Sequence, residues 1–351
     1  MMALLIGLRD LQWGRRRFAI GVVATALVFA LGLLMSGVSA SFDNEVRRTV
    51  ASFGADAWLV RAESFGPFTG PATIPATSAA SVRDLPGVRR ADPVAVLRAT
   101  TETPERSNVN LIGVVPGGVG SPDGWRGRLL ARDGTAIVDQ SLGLAVGDHL
   151  DLNGSAFRVG ALTSGMTYFA GIPTVTVSLR AAQRLGLGGR RLATAVVTEG
   201  RPAAVPRSLT SLGNGAVADD LGRPVRQAQQ TIALIRLLLW AVAAGIIGAI
   251  VYLSVLERVR DLAALKAIGV GTRDLVTALI LQAGLLSLLA ALLSVGLEEA
   301  IAPAVAMSVE VPALTFLTLP LVAVLVGVAA SMIGLRRAVA VDPALAFAGS
   351  R

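Results

Sequence analysis

Residues 237–256 read LLLWAVAAGIIGAIVYLSVL and residues 275–297 read LVTALILQAGLLSLLAALLSVGL, and between them residues 257–274 read ERVRDLAALKAIGVGTRD. Two uncharged apolar runs therefore hold a short charged stretch between them. Phe18–Ala40 and Val311–Leu335 are runs of the same kind, with no Asp, Glu, Lys, Arg or His. Each of the four is long enough for the ~20 helical residues that cross a ~30 Å hydrocarbon core. Lipid offers a backbone amide no partner, so each run is predicted to be a helix. One such run fits a buried core helix of a soluble protein; four of them indicate a membrane protein. Composition agrees, with 53% hydrophobic and only 16% charged residues, against about a quarter charged in soluble domains.

The short flanks set the orientation. Arg15, Arg16 and Arg17 precede the first span, Arg258, Arg260, Lys266 and Arg273 lie between the second and third, and Arg336 and Arg337 follow the fourth. The loop between spans three and four carries Glu298, Glu299 and Glu310 and no basic residue. Positive charge stays cytoplasmic, which places both termini and the 257–274 loop inside and the long segment 41–236 outside. The first run exceeds the ~7–15 residues of a signal-peptide core and continues into helix-like sequence, so it reads as a retained anchor.

The fold class expected is a membrane α-helical protein. It has four transmembrane helices and an extracytoplasmic mixed α/β domain inserted between spans 1 and 2. Residues 1–17 form a cytoplasmic amphipathic segment leading into the first span, 18–40. The extracytoplasmic domain, with stalk segments at both ends, occupies 41–236. The second span is 237–256, the cytoplasmic coupling helix and loop 257–274, and the third span 275–297. A short external loop at 298–310, the fourth span at 311–335 and a cytoplasmic tail at 336–351 complete the chain.

Inside the long segment, Asp56–Ala62, Pro93–Thr101, Asn108–Val115 and Thr174–Leu179 have the β-branched, alternating look of strands. Gly147–Gly160 (GDHLDLNGSAFRVG) is a hairpin, its two alternating runs joined by Asn153-Gly154, which suits a type I′ turn. Ser78 looks like the cap of a short helix that ends by Pro86-Gly87. Arg201–Pro206 marks the start of the return toward the membrane. Ser41–Phe53, with Phe42, Val46, Val50 and Phe53 on one stripe, extends the first span outward. Val225–Leu239, with Val225, Ile232, Ile235 and Leu239, enters the second. The two stripes either pack together as a stalk or serve as loose linkers.

Chemistry is scarce. There is no cysteine, so neither a disulfide nor a thiolate is available. His149 is the only histidine and sits at an alternating, solvent-facing strand position; no His pair for a metal exists. Lys266 is the only lysine and is followed by Ala267, so the chain has no Walker A phosphate loop. The clusters Gly117/Gly118/Gly120 and Gly186/Gly188/Gly189 read as turns, and Asp148/Asp151 and Asp219/Asp220 as solvated surface acids. The net charge of +8 divides between membrane flanks and a domain with 20 Arg against 16 acids over 41–226. That domain lacks the aromatic and basic interleaving of a nucleic-acid surface, and anionic lipid is the better neighbour. Polar residues within the spans (Thr25, Ser36, Gln282, Ser287, Ser294 and Ser331) are not ionisable, against the habit of proton-coupled carriers and ion channels. Gly32/Ser36, Gly245/Ala249 and Gly327/Ser331 have the spacing that lets helices approach closely.

As a helix, 257–268 puts Leu256, Val259, Ala263 and Ala267 on one face and Glu257, Arg258 and Asp261 on the other. Gly269 suits the left-handed stop and Thr272 the cap of the next helix. Those features fit a solvated connector as well as a docking element. The motif separates the two: Glu257-Arg258, Arg260-Asp261-Leu262-Ala263 and Leu265-Lys266-Ala267-Ile268-Gly269 resemble the E-R-x-R-[ED]-x-A-x-L-[RK]-A-[IM]-G signature of the FtsX/MacB-type permeases of ABC transporters.

The resemblance extends over most of the chain. Leu8-Arg9-Asp10-Leu11 with Arg15–Arg17 is similar to that family's amphipathic segment before the first span. Asp133–Gly160 is similar to its external core domain, and Arg336-Arg337-Ala338 with Asp342-Pro343 to its cytoplasmic tail. The layout is closest to compact permeases of the heterocyst glycolipid exporter type, which lack a fused ATPase domain. The resemblance implies a multi-pass permease of the bacterial cytoplasmic membrane. It would work as a homodimer or permease heterodimer with a separate ABC ATPase, which binds the ATP; no cofactor is expected in this chain. It assigns Glu257, Arg258, Arg260, Asp261, Leu262, Lys266 and Gly269 to ATPase coupling. It further implies export or mechanotransmission acting on lipid, glycolipid, lipoprotein or peptide cargo, with an extracytoplasmic adaptor as a further partner. The alternative is a non-transporting signalling module that activates a cell-wall hydrolase.

Reporter fusions test the topology. A reporter active only in the cytoplasm should be bright after Gly349 and silent after Gly120, and a bright signal at Gly120 would overturn the orientation.

Overall fold

The computed structural model describes residues 15–70, 72–122, 125–132, 134–257, 268, 271–301, 321–322, 324–325 and 328. The chain divides into two units, one made of Met1–Ser41 with Gln230–Arg351 and the other of Phe42–Gln229.

Three long helices pass through the first unit: α1 (Arg15–Ser52), α5 (Asn214–Glu257) and α6 (Thr272–Ile301). Each is long and apolar enough to cross a membrane, with mean hydropathy of 2.3 to 2.5 over its best window. The stretch 311–335, expected as a further span, lies mostly outside the described residues; Leu321, Val322, Val324, Leu325 and Val328 are helical. Ile247, Ile250, Val251 and Val255 of α5 pack with Leu279, Ala283 and Leu286 of α6, and Phe18 and Val22 of α1 join them. Further along, Ala26, Phe29 and Leu33 meet Ala243, Ala290 and Ala291. Late α5 thus lies beside early α6, so the two run antiparallel, with the last residues of α5 and the first of α6 on the side of Phe18.

Among the described residues, the expected small-residue approaches do not mark where the helices meet: a Cβ added at Gly32 or Gly245 would touch none of them within 4 Å, whereas one at Gly21 would run into Ile250 Cδ1. Four-residue spacing of small side chains is common in any Gly- and Ala-rich span. Which pair touches is decided by the large residues around it. Gly327/Ser331 lies outside the described residues.

The second unit is an α/β domain around one large mixed sheet. Its strands are β1 (Ala57–Arg61), β2 (Ile74–Pro75), β3 (Arg90–Thr101), β4 (Ser107–Val114), β5 (Thr135–Asp139), β6 (His149–Leu152), β7 (Ser155–Thr163), β8 (Thr167–Tyr168), β9 (Ile172–Ser178), β10 (Leu192–Ala193), β11 (Ala195–Glu199) and β12 (Leu209–Leu212). The main sheet runs β12-β1-β11-β3-β4-β9-β5-β7-β6, with β8 on β9 and a separate β2–β10 pair. Only β4–β9 and β5–β7 are parallel. Three short helices, α2 (Ser78–Arg83), α3 (Trp125–Leu129) and α4 (Leu179–Gly186), complete the domain.

The period-2 alternation sorts the strand side chains onto two faces. Trp58, Val60, Val94, Val96, Ile112 and Val197 face one core. Leu59, Ala91 and Val196 face a second, and Ala95, Leu111, Val138 and Val177 a third with α4. The buried residues of the central strands thus fall on both faces of the sheet. The four expected strands appear within a few residues of their predicted ends. The Asn153-Gly154 turn also forms, with φ of +49° and +80° as a type I′ turn requires.

Three expectations are corrected. The short helix is preceded by Thr77 in a helical conformation without a side-chain cap, and Ser78 is its first residue. Arg201–Pro206 does not lead straight back: the chain first adds β12 to the open edge of β1, pairing Leu212 with Trp58, and only then enters α5. Short strands such as β12, with one buried residue in four, give the alternation too little length to register. Similarly, α6 begins at Thr272 itself, one residue earlier than a cap there would allow.

Gly113 in β4 is the tightest helix-on-sheet contact. A Cβ at this position would collide with Ala182 Cβ of α4 and lie 3.4 Å from Leu179 Cα, neither of which is a flexible side-chain end. Gly113→Ala should therefore destabilise the domain by about 1–3 kcal/mol. Adding Ala182→Gly should recover part of that, limited by the 0.5–1 kcal/mol that glycine costs inside a helix. Protease resistance of the purified chain reads both effects.

Candidate functional site

The residues assigned to ATPase coupling fall at the edge of what is described. Glu257 is the exposed last residue of α5, and Ile268 is 82% exposed. Arg258, Arg260, Asp261, Leu262, Lys266 and Gly269 lie outside the described residues. The antiparallel packing of α5 and α6 fixes where that segment leaves and re-enters the helical unit.

At the other ends of α1 and α5 a second arrangement is fully built. The last residues of α1 and the first of α5 belong to the α/β unit. Val50 and Phe53 from α1 and Val217 and Leu221 from α5 enter the core around Trp58. The rings form a chain: Phe53–Trp58 at 4.7 Å, Trp58–Phe68 at 6.0 Å, Phe68–Tyr168 at 5.5 Å and Tyr168–Phe169 at 4.9 Å between centroids. Edge-to-face pairs of this kind add about 0.5–1.5 kcal/mol each beyond their buried area.

Polar bonds lock the same ends. Trp58 Nε1 donates to Asn214 Oδ1 at 3.0 Å, and Asn214 Nδ2 donates to the Ala55 carbonyl at 3.0 Å. One residue at the start of α5 thus ties that helix to β1 and to the turn after α1. Thr167 Oγ1 donates to Glu45 Oε1 at 2.8 Å, and Thr49 Oγ1 to the Thr167 carbonyl at 3.3 Å, fastening α1 to β8. Gln229 Nε2 donates to Asp43 Oδ1 at 2.9 Å, joining the two helices.

The sequence stripes were right about α1 and late about α5. Phe42, Val50 and Phe53 are buried, but their α5 partners begin at Val217, two turns before Val225, and Ile235 is 40% exposed. Asp219-Gly222 broke the apolar pattern there.

Asp220 is that interruption, and it is fully buried rather than solvated. Its carboxylate accepts from Phe68 N at 2.9 Å, from Thr69 N at 3.3 Å and from the Thr69 hydroxyl. A Cβ at Gly66 would strike the same carboxylate, so glycine is what lets the 62–70 loop close over α5. Arg223 caps the loop from outside, its guanidinium 4.0 Å from the Phe65 ring centroid. Asp219, salt-bridged to Arg226 at 3.9 Å, and the exposed Asp148 are surface acids as expected. Asp148 and Asp151 serve their own turns, accepting from Ala145 N and Gly154 N.

Pro224 lies inside α5, one turn after Asp220. Proline has no N–H, so the helical bond to the Asp220 carbonyl is missing and the ring crowds that carbonyl. The helix is weakened where its domain-rooted end gives way to its apolar length. The sequence shows this proline plainly; it went unnoticed because the helix was expected to start after it.

Within the apolar unit, Gln282 Nε2 donates to Ser254 Oγ at 3.2 Å, a bond between α5 and α6. Ser254, Ser287 and Ser294 donate back to their own helix carbonyls at 2.7–2.9 Å, and Arg236 reaches Ser36 Oγ at 3.4 Å. Among the described residues no group of three or more His, Cys, Asp or Glu is placed to hold a metal ion.

Residues 233–343 match the family model of the FtsX-like permease C-terminal region. The chain is 38% identical over 347 residues to an uncharacterized ABC transporter permease of Mycobacterium tuberculosis strain H37Rv, covering 99% of each. A second such permease of that strain is 36% identical over 350 residues, again covering 99% of each. Among solved structures, the periplasmic region of MacB from Actinobacillus actinomycetemcomitans is similar over 50% of this chain and 96% of that one, at 8% identity and a TM-score of 0.35. The extracellular domain of the noncanonic ABC-type transporter YknZ is similar over 42% and 83%, at 15% identity and a TM-score of 0.31. The chain belongs to the FtsX/MacB-type family of ABC transporter permeases. It is accordingly a membrane protein of a class that is not itself catalytic.

Asp220→Ala should free the 62–70 loop, because it strands two backbone donors and a hydroxyl at about 1–3 kcal/mol for each buried group left unpaired. Limited proteolysis should then cut within 62–70 while the rest of the chain stays resistant. Unchanged protection would show that the loop does not depend on the carboxylate.

Proposed function

We propose that the chain is the permease subunit of an exporter or mechanotransmission complex in the bacterial cytoplasmic membrane. It works as a dimer with a separate ABC ATPase, which supplies the nucleotide site. The cargo is a lipid, glycolipid, lipoprotein or peptide. In this reading the chain crosses the membrane four times with both termini inside, and the α/β domain is extracytoplasmic.

The observation that supports the reading most is that α1 and α5 are each one continuous helix. Each has an apolar length at one end and a root in the core of the α/β domain at the other. α1 contains no proline and α5 is interrupted at Pro224, so an axial displacement has a helical path to follow with one weakened point on it. Motion started at 257–268 by closure of the ATPase would pass along α5 to Val217, Leu221 and Asn214, and through them to Trp58 and the sheet. Pro224 is the place where such a helix changes direction at least cost.

On the cytoplasmic side, an ATPase groove would engage the polar face of 257–268. Glu257, Arg258, Arg260, Asp261 and Lys266 offer charged contacts, Leu262 an apolar one and Gly269 the stop that frees the helix end. A desolvated ion pair broken at one partner costs about 3–5 kcal/mol, whereas an exposed pair costs about 1 or less.

Glu257→Lys and Asp261→Lys should reduce co-purification of the partner ATPase at unchanged membrane expression. Leu262→Asp should be harsher, since it puts an unpaired charge in a packed contact. Wild-type yield of the ATPase with all three variants would reduce the segment to a connector and contradict the proposal. Pro224→Ala tests the relay separately: ATPase binding should persist while cargo-dependent stimulation of ATP hydrolysis falls.

A further inference from the structure

The α/β domain encloses a cavity of about 360 Å³ beside the end of α1. Its size is within the ~300–1,000 Å³ of small-molecule sites. Phe53 and Ile112 form its buried floor with Thr176, Leu162 and Met166 form its sides, and Ser52, Gln140 and Ser164 stand at its exposed mouth. None of its lining residues is charged, in a domain that carries 20 arginines and 16 acids over 41–226.

Two features make it a built site rather than a gap in packing. Asp139, 1% exposed, accepts from Ser141 N at 3.0 Å with one carboxylate oxygen and from Met166 N at 2.7 Å with the other. It thereby ties together the two segments that carry Gln140 and Met166. Gly120 is fixed in turn by its N–H bond to the Phe53 carbonyl at 3.0 Å. The second feature is unspent hydrogen-bonding capacity: the carboxamide of Gln140 and the hydroxyls of Thr163, Ser164 and Thr176 have no side-chain partner among the described residues. Polar groups converge on the space from its rim and its sides, and apolar surface lies beneath them.

We propose that this cavity binds one neutral sugar ring. A phosphate or carboxylate ligand would enter without a countercharge, which is costly in a partly desolvated site. An acyl chain would leave the carboxamide and three hydroxyls unpaired. A pyranose offers hydroxyls at its edge and C–H groups on its faces, matching the polar rim over Phe53, Ile112, Leu162 and Met166. A hexose fits within this volume with room to spare. The proposal rests on the reading of this domain as the part that meets cargo, and it narrows that cargo to molecules bearing a neutral glycosyl group.

The test uses the full chain, without its ATPase, in nanodiscs of phosphatidylglycerol and phosphatidylcholine. Saturation-transfer NMR is recorded with methyl glucoside, methyl mannoside and methyl galactoside. At least one should give a saturable signal that glucuronate and glucose 6-phosphate do not displace. Thr176→Val, which keeps the side-chain shape, and Gln140→Ala, at the exposed rim, should each weaken binding about fivefold or more, the loss of one hydrogen bond. Doping the nanodiscs with galactosyl diacylglycerol separates the sources: displacement of the bound glycoside assigns the ring to a lipid headgroup, and no displacement assigns it to a free saccharide. Absence of any neutral glycoside signal, preference for the charged sugars, or unchanged binding in both variants would overturn the site. Because no ATPase is present, a negative result here leaves the coupling experiments standing.

Discussion

Two helix ends driven into one β-domain core constrain the molecule more than any other feature. Val50 and Phe53 arrive from α1, Val217 and Leu221 from α5, and Trp58 lies between them with no exposed surface. The indole must also satisfy its N–H, and Asn214, the first residue of α5, accepts it while donating to Ala55. Both helices are therefore held by packing and by hydrogen bonds whose loss would leave buried groups unpaired. That requirement fixes the strand order nearby: β1 takes β12 on one side and β11 on the other, so the strand bearing Trp58 is not left at an open edge.

The same constraint separates what each end of α5 does. Near the domain the helix carries Asp220, Gly222 and Pro224, which serve the 62–70 loop and weaken the helical ladder. Beyond Arg236 it is apolar apart from Tyr252, Ser254 and its last residue Glu257, and it packs with Phe29, Leu33, Leu279 and Leu286. Cohesion in that unit comes from close packing, such as Gly21 against Ile250, and from few polar bonds, Gln282 to Ser254 among them. Lipid gives no hydrophobic reward for bringing apolar helices together, so shape and these bonds have to suffice.

How much of this the sequence disclosed follows from signal length. The spans were legible because twenty uncharged residues in a row have few other readings. The Asn153-Gly154 hairpin was legible because positive φ at two consecutive residues restricts composition sharply. β10, β11 and β12 were missed since two to five residues cannot establish a period. Asp220 was misread because a charge beside another charge looks like surface. Only the fold shows that Phe68 N and Thr69 N, about 150 residues earlier, converge on it. The cavity likewise had no signature: its walls come from six separate stretches, and Asp139, which shapes it, is one acid among many. The coupling motif was visible as a pattern of residues at 257–269, most of them outside the described part of the chain.

Because the chain has no cysteine, a single introduced thiol gives a clean probe of whether work done at the cytoplasmic face reaches the domain. Ser155, exposed at the tip of the β6–β7 hairpin, can be replaced by cysteine and spin-labelled. The distance between the two labels of a permease dimer is then measured in complex with its ATPase, without nucleotide and with ATP trapped by a hydrolysis-dead ATPase. Transmission through α1 and α5 requires the distance distribution to shift between the two states and the shift to vanish when Asp261→Lys uncouples the ATPase. Superimposable distributions in the two nucleotide states, with the ATPase bound in both, would contradict the account.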